Sequence, residues 1–335
     1  MRRREGLLSL IPFILIILTA GRAGSQAIIA GHNAVAQFDI IPPAVIEQVK
    51  ADYKIFYGHS SHGSQIVTGM EMLKSEDLLY DFNNGTGTLT LEELVGYDLG
   101  TGSEASSAWV SYTRNHLDQP DCETNVVMWA WCDGVSVSNS EKITNYLNNM
   151  TQLENDYPGV TFIYMTGHLD GTGPGGTLYT LNNQIRDYCQ TNGKVLFDFA
   201  DIESYNPDGT YYPYDTDACN WCYDWCDVHT CEMCPHDCAH SHCFNCYLKG
   251  EAFWWMMASI GGWVPETEVC GDANSDGSVD ILDVVFLINY KYKDGPSPSP
   301  PYLSDVNSDG EINILDTVYI INYKYKSGPA PDCIE

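Results

Sequence analysis

The chain has 335 residues, 44% of them hydrophobic, which allows two folded domains and excludes disorder as the main state. Asp and Glu number 45 against 16 Lys and Arg, and the net charge of −29 argues against nucleic-acid or anionic-membrane partners. Thirteen cysteines are unusual in a reducing compartment unless they hold metal, so the composition indicates an exported or a metal-binding protein.

Residues 1–27 have the pattern of a secretory signal peptide. Three arginines precede an apolar stretch at 7–18, which is short for a membrane span and is followed by small residues. An uncleaved anchor is the alternative. No other long apolar run follows, so we expect a secreted or surface-attached mature protein with no membrane span and with disulfides.

Residues 28–265 alternate β-rich apolar runs with helical patterns, such as those at 140–157 and 178–190. The runs predicted as strands are 53–57, 125–131, 160–166 and 194–199. This alternation predicts an α/β domain with a mostly parallel sheet between two helical layers. In such sheets the chemistry lies beyond the carboxyl ends of the strands.

Three segments of this region carry polar motifs: GHSSHG at 58–63, WAWCDG at 129–134, and Asp237-Cys-Ala-His240 before a helix. The layout resembles the SGNH/GDSL hydrolase superfamily over about residues 50–263. The resemblance implies a three-layer, SGNH/flavodoxin-like parallel sheet and a catalytic triad. Its nucleophile would be Ser60 or Ser61, its base His240, and its orienting carboxylate Asp237.

The same resemblance implies oxyanion stabilisation near Gly102 and Asp133. Two positions depart from the family pattern, because His59 replaces an aspartate and Cys132 stands where an asparagine would donate a hydrogen bond. A non-catalytic, glycan-binding domain of the same fold is therefore the alternative. His59, His62 and His168, at strand ends, are open to interpretation as metal ligands or as structural turn residues.

Eight cysteines crowd an insertion at 219–246 with repeated C-x2-C spacings. In an exported protein they predict four disulfides, but the same spacings also fit two Zn²⁺ sites with four thiolates each. If zinc were bound there, His240 would become a candidate ligand and the triad would fail. The remaining Cys122, Cys132 and Cys189 predict one disulfide and one free thiol.

Residues 266–335 contain a duplicated unit, with DANSDGSVDILD at 272–283 and DVNSDGEINILD at 305–316. Alternating oxygen ligands and a central glycine are the pattern of a Ca²⁺-binding loop, so two calcium ions are predicted. The expected ligands are Asp272, Asn274, Asp276, Ser278, Asp280 and Asp283 in the first loop, and Asp305, Asn307, Asp309, Glu311, Asn313 and Asp316 in the second.

Each loop ends in Asp rather than Glu and precedes a single helix, which resembles a type I dockerin over Cys270–Cys333. The resemblance implies a small all-α, EF-hand-like module that binds a cohesin-type scaffold protein. The terminal cysteines of this unit are candidates for a disulfide. The residues at the partner-choosing positions, which the sequence alone also allows as core, are Ile281, Leu282, Ile314 and Leu315.

Together these features predict a secreted ester hydrolase tethered through a calcium-dependent dockerin. Carbohydrate esters are the expected substrates, since dockerins commonly accompany polysaccharide-active enzymes and the 22 Tyr and 8 Trp suit sugar stacking. The alternative is a non-catalytic secreted adhesion or glycan-binding protein with the same tether.

Overall fold

The computed structural model describes residues 26–100, 108–132, 134–265, 269–274, 278–293, 295–298 and 301–333. The chain forms two compact units, Met1–Gly261 and Gly262–Glu335. The expected signal peptide lies almost entirely outside the described residues. Within those ranges, every helix is too short or too polar to cross a bilayer.

One sheet of six parallel strands organises the first unit, in the order β1-β6-β5-β4-β2-β3. The strands are β1 Ile28–Ala30, β2 Lys54–His59, β3 Thr90–Val95, β4 Val126–Trp129, β5 Thr161–Met165 and β6 Val195–Phe197. The apolar β4 is buried at all four positions, as a central strand requires, whereas the edge strand β3 buries only Leu91. The predicted parallel α/β sheet is confirmed.

Helices pack on this sheet in two groups. Those described in the first unit are α1 His32–Ala36, α2 Pro43–Asp52, α3 Ser64–Glu76, α4 Ala108–Leu117, α5 Ser140–Asp156, α6 Thr177–Asn192, α7 Phe199–Ser204, α8 Asn220–Cys226 and α9 Cys243–Ile260. α3 packs on α9, while α5 packs on α6 and β5. Each group buries its apolar face, and the core between them includes the fully buried Trp129, Tyr164 and Trp254.

α3 and α9 cross at two glycines. A Cβ atom at Gly69 would lie 1.9 Å from the carbonyl oxygen of Cys246, and one at Gly250 would lie 2.5 Å from the carbonyl carbon of Gly69. Only the absence of side chains lets the two backbones approach this closely. The crossing therefore fixes the loop before α3 relative to the cysteine-rich segment before α9.

The second unit contains two helices, α10 Ile281–Tyr292 and α11 Ile314–Lys326, which pack against each other. Its small core is aliphatic and includes Val284, Leu287, Val306 and Ile320. Cys270 and Cys333 form a disulfide that closes the unit across 63 positions, as the sequence predicted.

Candidate active site

The candidate site lies where the carboxyl ends of β2 and β4 meet. From β2 the chain crosses to β3 on one side, and then returns past β2 to β4 on the other. Such a reversal leaves a crevice between the two strand ends. It brings the loop 60–63, which follows β2 and leads into α3, next to Cys132, which follows β4.

His62 is the centre of the hydrogen-bonded group in this crevice. Its side chain is buried, with 3% of the residue exposed. Nδ1 lies 3.3 Å from Sγ of Cys132, and Nε2 lies 3.1 Å from Oδ2 of Asp217. A thiol, an imidazole and a carboxylate thus form one continuous row, in the order of a nucleophile, a base and an orienting acid.

The pKa values of His62 and Cys132 move toward each other's charged forms. Burial lowers the pKa of His62, but hydrogen bonds to Asp217 and Cys132 outweigh it and raise this pKa to about 9. The hydrogen bond with His62 lowers the pKa of the Cys132 thiol to about 7 against the opposing effect of burial. A thiolate beside an imidazolium, the reactive state of a cysteine nucleophile, is therefore favoured near neutral pH.

Two further imidazoles stack on His62. The ring of His168 lies parallel to it within 1°, with the centroids 3.9 Å apart, and the ring of His240 lies at 4.5 Å. Nδ1 of His168 lies 2.8 Å from the carbonyl oxygen of Leu169, a contact that orients this ring. We call these three rings the imidazole stack.

Both predicted serine nucleophiles lie at this crevice. The hydroxyl of Ser61 is 3.4 Å from Sγ of Cys132, whereas the hydroxyl of Ser60 donates a hydrogen bond to Asp98. Both serines precede the N-terminus of α3, where backbone N–H groups and the helix dipole favour a developing negative charge.

The predicted base and acid are placed differently from the serines. His240 reaches the crevice through its stacking on His62, but Asp237 is exposed. Among the described residues, no hydrogen bond joins His240 to Asp237, Ser60 or Ser61. The triad built on His240 stays a prediction, and the predicted oxyanion residues, Gly102 and Asp133, lie outside the described residues.

The two residues that contact His62 were not assigned this role from the sequence. Cys132 had been noted only as a departure from a family motif. The segment around Asp217 carries no recognisable signal, since its carboxylate reaches His62 across 155 positions.

The eight clustered cysteines form four disulfides: Cys219–Cys222, Cys226–Cys231, Cys234–Cys243 and Cys238–Cys246. This agrees with the disulfide interpretation and leaves none of these thiolates for the alternative zinc sites. The expectation of a further disulfide among the other three is wrong, because Cys122, Cys132 and Cys189 are all free.

A buried polar network holds the segments around the imidazole stack. The ammonium of Lys249 and the carboxylate of Glu203, both fully buried, form an ion pair of 2.8 Å, and Lys249 also donates to Gln65. Glu203 accepts from the Leu169 N–H at 2.7 Å, and Gln65 donates to the carbonyl of Ala239 at 2.5 Å. These bonds tie the residues next to His168 and His240 to α3, α7 and α9.

A cleft of about 220 Å³ is lined by the loop that follows His168, including Leu169 and Asp170. Its remaining walls are mainly aromatic or charged and include Tyr179, Arg186, Asp201, Tyr205 and Tyr211. Aromatic faces beside hydrogen-bonding groups suit a ligand that is both ring-shaped and polar.

The duplicated loops of the second unit have the donors that Ca²⁺ requires. The carboxylate of Asp316 is fully buried, accepts N–H bonds from Val306 and Asn313 at 3.0 and 2.8 Å, and has its pKa raised by burial. Asp283 is equally buried at the matching position of the first loop. A buried carboxylate among other oxygens needs a cation to balance its charge, and Ca²⁺ fits this donor set. Asp276 lies outside the described residues.

The four predicted partner-binding residues are on the surface rather than in the core. Leu282 and Leu315, at matching positions of α10 and α11, are 54% and 57% exposed, and the neighbouring isoleucines are exposed as well. Val285 and Val318 extend the pattern by one helical turn. The unit therefore presents the same apolar surface twice, and we call these six residues the paired apolar patch: Ile281, Leu282, Val285, Ile314, Leu315 and Val318.

Residues 270–323 match the type I dockerin domain family. This match covers the duplicated loops and most of both helices, and it agrees with the resemblance drawn from the sequence. No match to the chain was found among curated proteins or among solved structures.

Proposed function

We propose that the chain is a secreted ester hydrolase, tethered through its dockerin to a cohesin-type scaffold. Cys132 is the nucleophile, His62 the acid–base residue, and Asp217 the group that orients His62. The observation that carries this proposal is the row Cys132–His62–Asp217 at the reversal point of the sheet, with contacts of 3.3 and 3.1 Å.

The row supports acyl transfer in two steps. The thiolate of Cys132 attacks the ester carbonyl, and the imidazolium of His62 gives its proton to the departing alcohol, which leaves a thioester. His62 then takes a proton from water, and the resulting attack breaks the thioester, releasing the carboxylic acid and restoring the thiol. The N–H groups before α3 lie on the side of Ser61 and are the donors available to the oxyanion.

Ser60 and Ser61 remain the alternative nucleophiles that the SGNH resemblance implies. Ser61 is the better placed of the two, because its hydroxyl lies within 3.4 Å of Cys132, whereas the hydroxyl of Ser60 is bonded to Asp98. The base for Ser61 would be an imidazole of the stack, either His62 or the predicted His240.

The proposed substrates are carbohydrate esters. The tyrosine-lined cleft continues from the loop that carries His168, so a sugar ring held there would bring its ester toward the crevice. The dockerin supports the same class, because cohesin-tethered proteins commonly act on polysaccharides; this support is analogy with the family.

The test is turnover of a short-chain p-nitrophenyl ester by the full chain in Ca²⁺, followed by an acid quench and peptide mapping. We expect a burst of p-nitrophenol and an acyl group on the peptide that contains Cys132. An acyl group on Ser60 or Ser61 would replace Cys132 as the nucleophile. Folded protein that turns over no ester would favour the non-catalytic glycan-binding alternative.

The paired apolar patch should determine scaffold binding. We expect the double variant Leu282→Asp/Leu315→Asp to bind a cohesin module at least about 100-fold more weakly, because a charge would enter the apolar contact in both copies. Isothermal titration calorimetry in Ca²⁺ measures the affinity. Leu78→Asp, at an apolar position of the first unit that is 71% exposed, is the matched control. Unchanged affinity of the double variant would show that the partner binds elsewhere.

A further inference from the structure

We propose that His62, His168 and Asp217 bind a divalent transition-metal ion such as Zn²⁺, and that the bound ion inhibits the hydrolase. The inhibitory part rests on the proposed function, whereas the metal site rests on geometry alone. One ring nitrogen of each histidine and one carboxylate oxygen of Asp217 lie within 4.8 Å of one another. This site is separate from the calcium loops and from the disulfide-bonded cysteines.

The residue types select the class of metal. Two imidazoles and one carboxylate are donors that Zn²⁺ and related ions accept, while Ca²⁺ and Mg²⁺ prefer oxygen donors alone. Three protein ligands also leave a position for water, which is the usual arrangement at an accessible zinc site. Asp217 and His168 are only half-buried, so an ion can reach them from solvent.

The outer contacts of both histidines already orient them for ligation. Nδ1 of His168 faces the carbonyl oxygen of Leu169 at 2.8 Å, and Nδ1 of His62 faces Sγ of Cys132 at 3.3 Å. Holding one ring nitrogen in this way leaves Nε2 as the ligating atom, as is typical of histidines bound to metals. The Leu169 N–H is itself bonded to the buried Glu203 at 2.7 Å, so the backbone beside His168 is fixed.

Metal binding requires one change in the imidazole stack. The rings of His62 and His168 are parallel within 1° at 3.9 Å, and the nitrogen lone pairs lie in the ring planes, so both cannot point at one ion. His62 is buried between two rings, whereas His168 is half-buried at the edge. His168 is therefore the ring that tilts when the ion binds.

Occupation of the site would stop acyl transfer. An ion on Nε2 of His62 displaces the hydrogen bond to Asp217, which is the contact that orients the imidazole. A ring with one nitrogen on a metal and the other facing Cys132 no longer carries the proton that the departing alcohol needs. The ion thus removes the acid–base residue without touching the thiol.

The test titrates Zn²⁺ into the full chain in saturating Ca²⁺, in competition with a chromophoric chelator. Wild type and His236→Gln, whose histidine is exposed and contacts Glu71 outside the cluster, should bind zinc with equal affinity. His168→Gln should bind it at least about 10-fold more weakly. Equal zinc affinity in His168→Gln and wild type would overturn the site.

Ester hydrolysis in the same titration tests the inhibition. Each variant's rate is divided by its own rate without added zinc, so a basal effect of the substitution does not enter the comparison. We expect zinc to inhibit wild type and His236→Gln at concentrations at least about 10-fold below those needed for His168→Gln. Zinc that binds and leaves the rate unchanged, or raises it, would overturn the inhibitory role. Absence of any turnover would count against the proposed function, while the chelator competition would still decide the metal site.

Discussion

Cys132→Ala should lower kcat/KM for p-nitrophenyl ester hydrolysis by about 1,000-fold or more. Removal of a nucleophile leaves only the contributions of substrate binding and of charge stabilisation to the remaining rate. In this crevice the thiol is the group closest to Nδ1 of the buried His62, so its loss ends formation of the acyl-enzyme. Steady-state kinetics of the calcium-loaded full chain measure the effect.

The matched control for this substitution is Cys189→Ala. Cys189 is also a free cysteine, but it is fully buried in α6 and burial raises the pKa of its thiol, so it is unreactive. We expect this variant to hydrolyse esters at a rate within about threefold of wild type, provided that it folds. If Cys132→Ala kept more than a tenth of the wild-type activity while Ser61→Ala lost it, the nucleophile would be Ser61.

Gly69→Ala should lower the free energy of unfolding of the first unit by about 3 kcal/mol or more. In an ordinary helix interior the same change stabilises by roughly 0.5–1 kcal/mol, so the sign of the effect is diagnostic. Here the new methyl group would meet the carbonyl oxygen of Cys246 at 1.9 Å, and backbone cannot move aside as a flexible side chain can. α3 and α9 would have to separate, which opens the core between them.

Urea denaturation under non-reducing conditions, followed by tryptophan fluorescence, measures this change. Gly159→Ala is the control, because a Cβ atom at Gly159 meets nothing within 4 Å and its effect should stay within about 0.5 kcal/mol. A Gly69→Ala variant as stable as wild type would show that the two helices are not in direct backbone contact.

Local patterns were sufficient for most of the architecture. The apolar runs predicted four of the six strands to within two residues, including the fully buried β4. Two strands were missed. β1 has only three residues, and β3 has two adjacent glutamates at the exposed edge of the sheet, so neither differs clearly from a loop in sequence.

The candidate site was predictable only in part. The crevice after β2 and β4, both serines and the stacked His240 were identified from strand ends and motifs. The role of Asp237 was assigned from its spacing to His240, but spacing does not tell which carboxylate approaches an imidazole in the folded chain. Asp217 holds that position, through a loop connected to the disulfide-rich segment.

The sequence by itself determined the features that are local along the chain: the strand–helix alternation, the repeated calcium loops and their apolar flanking residues. Ligand spacing within twelve residues and apolar periodicity follow from covalent geometry, so no tertiary information is needed to recognise them. Only the tertiary structure decided that His62 meets a thiol 70 positions away and a carboxylate 155 positions away. The reason is physical, since contacts between distant segments depend on sheet order and helix packing, which no short stretch of sequence encodes.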